Sequence, residues 1–575
     1  MKISMLVMLA GLCGARAFNY MDYSNLYNGE VHLHQSKISG RLSWHSDDLE
    51  WKSWEFLGLK YASAERFQAP KIFDDYDNKQ FRGKNGQRKP FDTPGPMCPQ
   101  LQKRNISVGE RLDNVSEDCL YLNIHLPVVN KEHPLLKQEA WPVMVYIHGG
   151  DFKGGAGHLL NGTILAKQLD AVVVTINYRL GPFGFLSLDD FNAQGNWGIK
   201  DIKIGLKWIQ MFIDRFGADP TRITLCGQDS GALLASLLLI DREIKSIVSG
   251  IILLGTSPAS FAGQYSVRPF GLPQSMTLAS TLECSTNTSD ELLKCLRNTP
   301  EPDLTAAEEK KTTNSSTQSV HWFPSLELDV VPDEPQRRFR SATFEGSILR
   351  GMVPTLPSHQ QLHSSVFDIK NFSGPSRAVY QSEVRSDDYD LLIHTISGLL
   401  HCDMTFAHHD FIATHFLNEN DSLLNENKEI SKKHVEELVD KIPLIMEYEI
   451  FAKQSLDSSK HSNYRIFDLD IDSSSCGYNT EFGVESAVLF GLRMRATNLS
   501  EQQVCKKVER QFHNLLANFL RDGNDFGMLL DGIHDHNQPR IYRLQKDFRW
   551  HLAEHEYLSE TKRLLDKFKE IPCFV

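Results

Sequence analysis

The sequence predicts an α/β protein, with parallel strands buried in a central sheet and helices packed against it. Three observations point there. Residues 141–148 form a short apolar run that ends at Gly149-Gly150, and residues 171–177 form a second run, β-branched and fully apolar at its centre. Runs of that kind are typical of strands buried on both faces. Ile199, Ile202, Leu206, Ile209 and Ile213 then recur at spacings of three and four, one face of an amphipathic helix. Finally, residues 222–226 read as a strand that meets Gly227-Gln228-Asp229-Ser230-Gly231 and leads into an apolar helix over 232–240. Strand, helix, strand, tight glycine turn and helix is the order of an α/β sheet.

Length and composition narrow the classes. The chain has 575 residues, 41% of them hydrophobic, enough for one large core. Its net charge of −12, with no long basic run, argues against nucleic-acid binding. Lys2 followed by an apolar stretch over 3–12 and by Ala15-Arg16-Ala17 has the form of a cleaved signal peptide, placing a signal at 1–17 and one domain at 18–575. No other window has the roughly 20 consecutive apolar residues that a spanning helix needs. Residues 567–575 carry no hydrophobic tail for a lipid anchor. The expectation is a secreted, extracellular chain without a membrane span.

Two features agree with export. Asn-x-Ser/Thr sequons stand at Asn105, Asn114, Asn161, Asn287, Asn314, Asn371, Asn420 and Asn498. Losing Cys13 with the signal leaves nine cysteines, an odd number, so at least one is free or bonds another chain. No repeat or low-complexity linker interrupts the chain. Residues 301–318 read as a polar surface loop and 418–433 as an insertion.

The turn at 227–231 has the glycine-x-nucleophile-x-glycine form of an elbow that lifts one side chain above a sheet. Alone it is a weak signal; its surroundings make it specific. Glu117-Asp118-Cys119-Leu120-Tyr121-Leu122-Asn123, Val145-Tyr146-Ile147-His148-Gly149-Gly150, the run from Asn177-Tyr178-Arg179 to Leu186 and Gly195-Asn196-Trp197-Gly198 belong to one pattern. So do Phe56-Leu57-Gly58-Leu59, Arg66-Phe67 and the segment 482–491. Together they resemble the type-B carboxylesterase and cholinesterase-like family, over about residues 30–523. The resemblance implies an α/β-hydrolase fold with a large, mostly parallel central sheet flanked by helices.

The chemistry of an active esterase does not follow. Such an enzyme needs a serine nucleophile, a histidine base, an orienting acid and oxyanion donors. By the resemblance these positions hold Asp229, Phe482 and Leu356, and the oxyanion segment reads Gly149, Gly150, Asp151 where the family has three glycines. Ser230 falls one place after the elbow's centre. Phenylalanine takes no proton, and a carboxylate beside a developing oxyanion repels it. One enzymatic reading survives as a rival: some α/β-hydrolases use an aspartate nucleophile in a Gly-x-Asp-x-Gly elbow. Their ester intermediate needs a histidine to be hydrolysed, so a cycle here would stall.

The resemblance also pairs Cys98 with Cys119 and Cys284 with Cys295, and leaves Cys226 as a buried free thiol. Residues 99–118 lack the tryptophan with which cholinesterases hold choline. No cofactor or metal is implied. Triad-less members such as neuroligins, neurotactin, glutactin and gliotactin look like adhesion proteins. The reading is thus a non-catalytic glycoprotein that binds an extracellular or cell-surface partner; the alternative is a carboxylic ester hydrolase with a degenerate or aspartate-nucleophile site. A last helix is expected over 551–569, with Tyr557, Leu564 and Phe568 on one face, as a possible homodimer contact.

Overall fold

The computed structural model describes residues 28–33, 36–45, 48–76, 90–101, 114–128, 140–254, 271–311, 317–319, 322–325, 327, 329–331, 344, 346–352, 464–469, 488–490, 499–522, 540–544 and 550–552. Eleven strands build the central sheet: β1 (Arg41–His45), β2 (Asp48–Lys60), β3 (Tyr121–Pro127), β4 (Trp141–Ile147), β5 (Val172–Ile176), β6 (Ala218–Gln228), β7 (Val248–Leu254), β8 (Ser347–Met352), β9 (Tyr464–Leu469), β10 (Arg540–Leu544) and β11 (Trp550–Leu552). Their spatial order is 11-10-9-8-7-6-4-5-3-2-1. The six pairings from β5 through β4, β6, β7, β8 and β9 to β10 are parallel. The outer pairings at both edges are antiparallel.

Alternation of side chains explains why β4 is apolar throughout. In β4, Val143, Val145 and Ile147 enter the core on one face, while Met144 and Tyr146 enter the core on the other. A strand that serves two cores has no face left for polar residues. The first core takes the helix Trp197–Phe212, which buries Ile199, Ile202, Leu206 and Ile209, as the periodicity predicts. The second takes the 24-residue helix Leu499–Asp522, whose Cys505, Val508, Phe512, Leu515, Leu516 and Phe519 repeat at spacings of three and four or one. No described helix is long and apolar enough to cross a membrane.

Family-pattern residues fix the frame around the sheet. Arg179 makes a buried bidentate pair with Asp201, at 2.7 and 2.8 Å. Asn177 gathers three segments: its Oδ1 accepts from Gly157 N, and its Nδ2 donates to Pro96 O and Cys119 O. Both expected disulfides are present, Cys98–Cys119 and Cys284–Cys295. Cys226 is free and buried on β6. Cys505 is disulfide-bonded, a pairing state that the sequence did not assign.

Two expectations are corrected. The stretch 301–318 is not a plain surface loop: Glu301–Ala306 is helical, and Glu309–Lys311 pairs antiparallel with Thr317–Ser319. Pro302 in the first turn, with Glu301 and Asp303 against the helix dipole, gives the local reason for the helix. The helix expected from 551 does not begin there, because His551 and Leu552 extend β11 against β10. Residues 418–433 and the remainder of that last helix, Tyr557, Leu564 and Phe568 included, lie outside the described residues.

Candidate functional site

The elbow forms where β6 ends and the helix Ser230–Leu238 begins, between neighbours β4 and β7. Asp229 sits at φ 50°, ψ −125°, a backbone region that side chains other than glycine rarely enter. Its amide donates to Leu254 O at 2.8 Å, and its carbonyl accepts from Ala232 N and Leu233 N. The flanking glycines are required by space. A Cβ on Gly227 would lie 2.4 Å from Gly231 O, and one on Gly231 would lie 2.3 Å from Ile147 O. The strained turn of a nucleophile elbow is therefore kept, with a carboxylate at its centre.

Opposite it, β4 ends in the loop that carries Gly149, Gly150 and Asp151. Gly150, Asp151 and Phe152 all have positive φ, at 114°, 54° and 61°. Gly149 has no room for a side chain: a Cβ there would lie 2.9 Å from Asp229 Cβ and 2.8 Å from Gln228 O. The loop turns two amides toward the elbow. Gly150 N donates to Asp229 Oδ2 at 3.2 Å, and Asp151 N lies 3.4 Å from the same oxygen. The carboxylate of Asp229 thus occupies backbone donors of the segment that would serve an oxyanion. Although Asp229 opens a helix, its side chain makes no capping bond to that helix.

The surrounding side chains hold this arrangement from below. The hydroxyl of buried Ser230 accepts from Phe152 N at 3.4 Å, which ties it beneath the loop. Tyr178 donates to His148 O at 2.8 Å, and its ring stacks on His148 at 4.4 Å. Burial holds the Tyr178 phenol well above its ordinary value. Burial also pushes His148 down to about 4, so its ring is neutral at pH 7. Its Nδ1 lies 3.0 Å from Gly149 O. Tyr146 donates to Gln228 Oε1 at 2.8 Å, and its ring meets the edge of Phe490 at 4.9 Å. Burial raises the Cys226 thiol far above its ordinary range, which keeps it protonated one strand position from the elbow.

Of the site positions read from the sequence, Asp229, Gly149, Gly150 and Asp151 come together as described. Leu356 and Phe482 lie outside the described residues. The sequence reading placed the disturbing carboxylate at Asp151, yet the loop amides receive that of Asp229. It also passed over the buried Tyr178–His148 stack. Both lie in segments singled out for their family pattern, but no spacing rule reveals a side chain's rotamer or a ring's partner.

An α/β sheet of this order, with a glycine-flanked elbow after a central parallel strand, defines an α/β-hydrolase fold. The profile of the carboxylesterase family matches residues 28–561, and the chain belongs to that family. Human neuroligin-2 is 30% identical over 365 residues, covering 55% of this chain and 41% of that protein. Human carboxylesterase 5A is 29% identical over 381 residues, covering 64% of this chain and 59% of its own. Mouse bile salt-activated lipase is 32% identical over 296 residues, covering 49% and 45%. The chain thus spans about half the length of the curated relatives it matches, and these relatives include proteins named as enzymes and proteins that are not.

Proposed function

We propose that this chain is a secreted, non-catalytic member of the carboxylesterase family that binds an extracellular or cell-surface protein. The observation that carries the first half is the seat of Asp229. A serine elbow needs its oxyanion donors open for the tetrahedral intermediate. Here two of them face a carboxylate that is part of the chain, and a negative transition state would have to displace it. Leu356 and Phe482, in place of the acid and base by sequence, point the same way.

Export, with a signal at 1–17 and one domain at 18–575, is supported by the form of residues 2–17, the disulfides and the sequons. Asn114, Asn161 and Asn287 are exposed and open to a glycan. Asn161 Oδ1 accepts from Thr163 N at 2.8 Å, which fixes the side chain of that sequon. Asn105, Asn314, Asn371, Asn420 and Asn498 complete the proposed set.

For the binding half, Phe191 is the most exposed large hydrophobic side chain among the described residues. Phe191 is 86% exposed, at the tip of a turn closed by Leu188 N to Ala193 O and by Asp190 Oδ1 on the amides of Asn192 and Ala193. An exposed aromatic ring on a hydrogen-bonded turn is a good anchor for a protein partner. The test is binding of the purified full chain to intact cells. Saturable, protease-sensitive binding that falls at least tenfold in Phe191→Ala, with unchanged melting temperature, is the expected result. Binding unaffected by surface proteolysis contradicts a protein partner. Dimerisation through the last helix is a separate part of the proposal. Light scattering should report a dimer that Leu564→Asp with Phe568→Asp converts to monomer, and a monomer from the unmutated chain removes it.

A further inference from the structure

A sequon is read as a unit: the asparagine amide and the hydroxyl two positions on are both needed. Among the sequons whose three residues are all described, only the one at 161–163 has its hydroxyl residue buried. Thr163 is 3% exposed, and its Oγ1 donates to Glu55 Oε1 at 2.5 Å. Glu55 is itself buried on β2, and Arg41 Nη2 holds its other oxygen at 2.7 Å. The backbone of the sequon is fixed as well. Gly162 lies against His125 of β3, where a Cβ would be 2.6 Å from the ring. Its carbonyl accepts from Ala166 N at 2.9 Å, and the helix Thr163–Leu169 begins there. That helix buries Leu165, Ala166 and Leu169 in the second core. At Asn114 and Asn287, by contrast, the hydroxyl residues Ser116 and Ser289 are only half-buried.

The asparagine of the same sequon is placed the other way. Its side chain is exposed, Oδ1 accepts from Thr163 N at 2.8 Å, and no described residue bonds Nδ2. A sugar on Nδ2 leaves that Oδ1 contact intact. The folded chain can therefore carry a glycan at Asn161 but cannot present the tripeptide that accepts one. We infer that Asn161 is a modification site gated by folding: it accepts its glycan only while Thr163 is free of Glu55, and docking of the helix Thr163–Leu169 on β2 closes it. The inference rests on the export reading given above for access to the transferase, and adds when this site is modified.

The step moves an oligosaccharyl group from a lipid diphosphate donor to Asn161 Nδ2. The bond from the sugar C1 to the diphosphate oxygen breaks, the bond from C1 to Nδ2 forms, Nδ2 gives up a proton, and the lipid diphosphate leaves. In the fold, the hydroxyl of Thr163 is committed to Glu55 when this step would need it. The order of folding supplies the window. Thr163 and Glu55 are 108 positions apart, and contacts between distant parts of a chain close later than local ones. The nascent chain thus passes through a stage in which the sequon is complete and unlocked.

The experiment compares two forms of the full chain made without glycans in a host that lacks the transferase. One is folded with its disulfides closed; the other is reduced and carboxymethylated, which keeps it unfolded. Each is incubated with purified oligosaccharyltransferase and a lipid diphosphate-linked oligosaccharide. Occupancy at Asn161 and at Asn287, the internal reference, is read by mass spectrometry. Modification of the folded form at Asn161 needs local opening, so the ratio of Asn161 to Asn287 should be about tenfold or more higher in the unfolded form. A smaller difference overturns the inference, and so does an unfolded form left unmodified at Asn161. If the glycan-free chain does not fold, pulse-labelled secreting cells give the second reading. Occupancy at Asn161 in chains with closed disulfides should stay constant through the chase, and a rise overturns the inference. Absence of glycan at every sequon of chain made in such cells would remove the export reading, yet the two purified forms would still decide the gate.

Discussion

At the scale of single residues, Asp229 opposes two effects. Its backbone is strained by about 1–3 kcal/mol, and its carboxylate satisfies amides that would otherwise face water or nothing. Asp229→Ala keeps the strain and loses the acceptor, so it should destabilise by about 1–3 kcal/mol. Asp229→Gly should be about 1 kcal/mol better than the alanine variant. Urea unfolding of the two decides this, and an alanine variant as stable as the glycine one would show that the strain is absent. The position of Asp229 was legible from Gly227 and Gly231; its seat was not, because the rotamer depends on a loop nearly 80 positions earlier in the chain. Glu55 was not legible at all. It is buried on β2 and accepts from Thr163 Oγ1 at 2.5 Å and from Arg41 Nη2 at 2.7 Å, while His125 Nδ1 lies 3.6 Å away. Nothing local in the sequence announces a carboxylate whose partners come from three other elements. Burial alone would raise Glu55, but His125, Thr163 and Arg41 outweigh it and hold the carboxyl near 2.

Elements show why the middle of the chain was the readable part. The strands over 141–147 and 172–176 and the helix over 197–212 carry their periods openly, since each is long enough for its buried positions to register as a run or a stripe. The elbow follows from glycines that only close backbone packing explains. Gly231→Ala would drive a Cβ to 2.3 Å from Ile147 O and 2.5 Å from His148 O, so strand and helix must part. The expected loss is about 1–3 kcal/mol or more, read as a lowered denaturation midpoint. An unchanged midpoint would mean that the elbow is looser than described. The hairpin of Glu309–Lys311 with Thr317–Ser319 was missed because its strands are three residues each and polar, too short for alternation to register. His551 and Leu552 were read as helix because the apolar spacing beyond them is helical, whereas backbone pairing with β10 overrides that spacing.

The whole molecule has an acid limb set by buried groups. His148 and His513 are both held near 4 by burial, against 6.5 when exposed. The unfolded chain takes up their protons first, so stability present above about pH 6.5 is lost as pH falls toward 4. Glu55 acts lower: its contribution is complete above about pH 4.5 and is lost as pH falls toward 2. Melting temperature should therefore fall in two stages on acidification, and Glu55→Gln should flatten the lower one. A melting temperature constant from pH 7 to 4 would contradict the burial of the histidines. The whole-molecule reading, a carboxylesterase fold with its catalytic elbow filled by its own carboxylate, meets its most direct test in one measurement. The purified mature chain is incubated with a fluorophosphonate probe and, in parallel, with p-nitrophenyl and choline esters. No label and no turnover above blank is the predicted result. Labelling, or turnover that tracks the protein through purification, would contradict it.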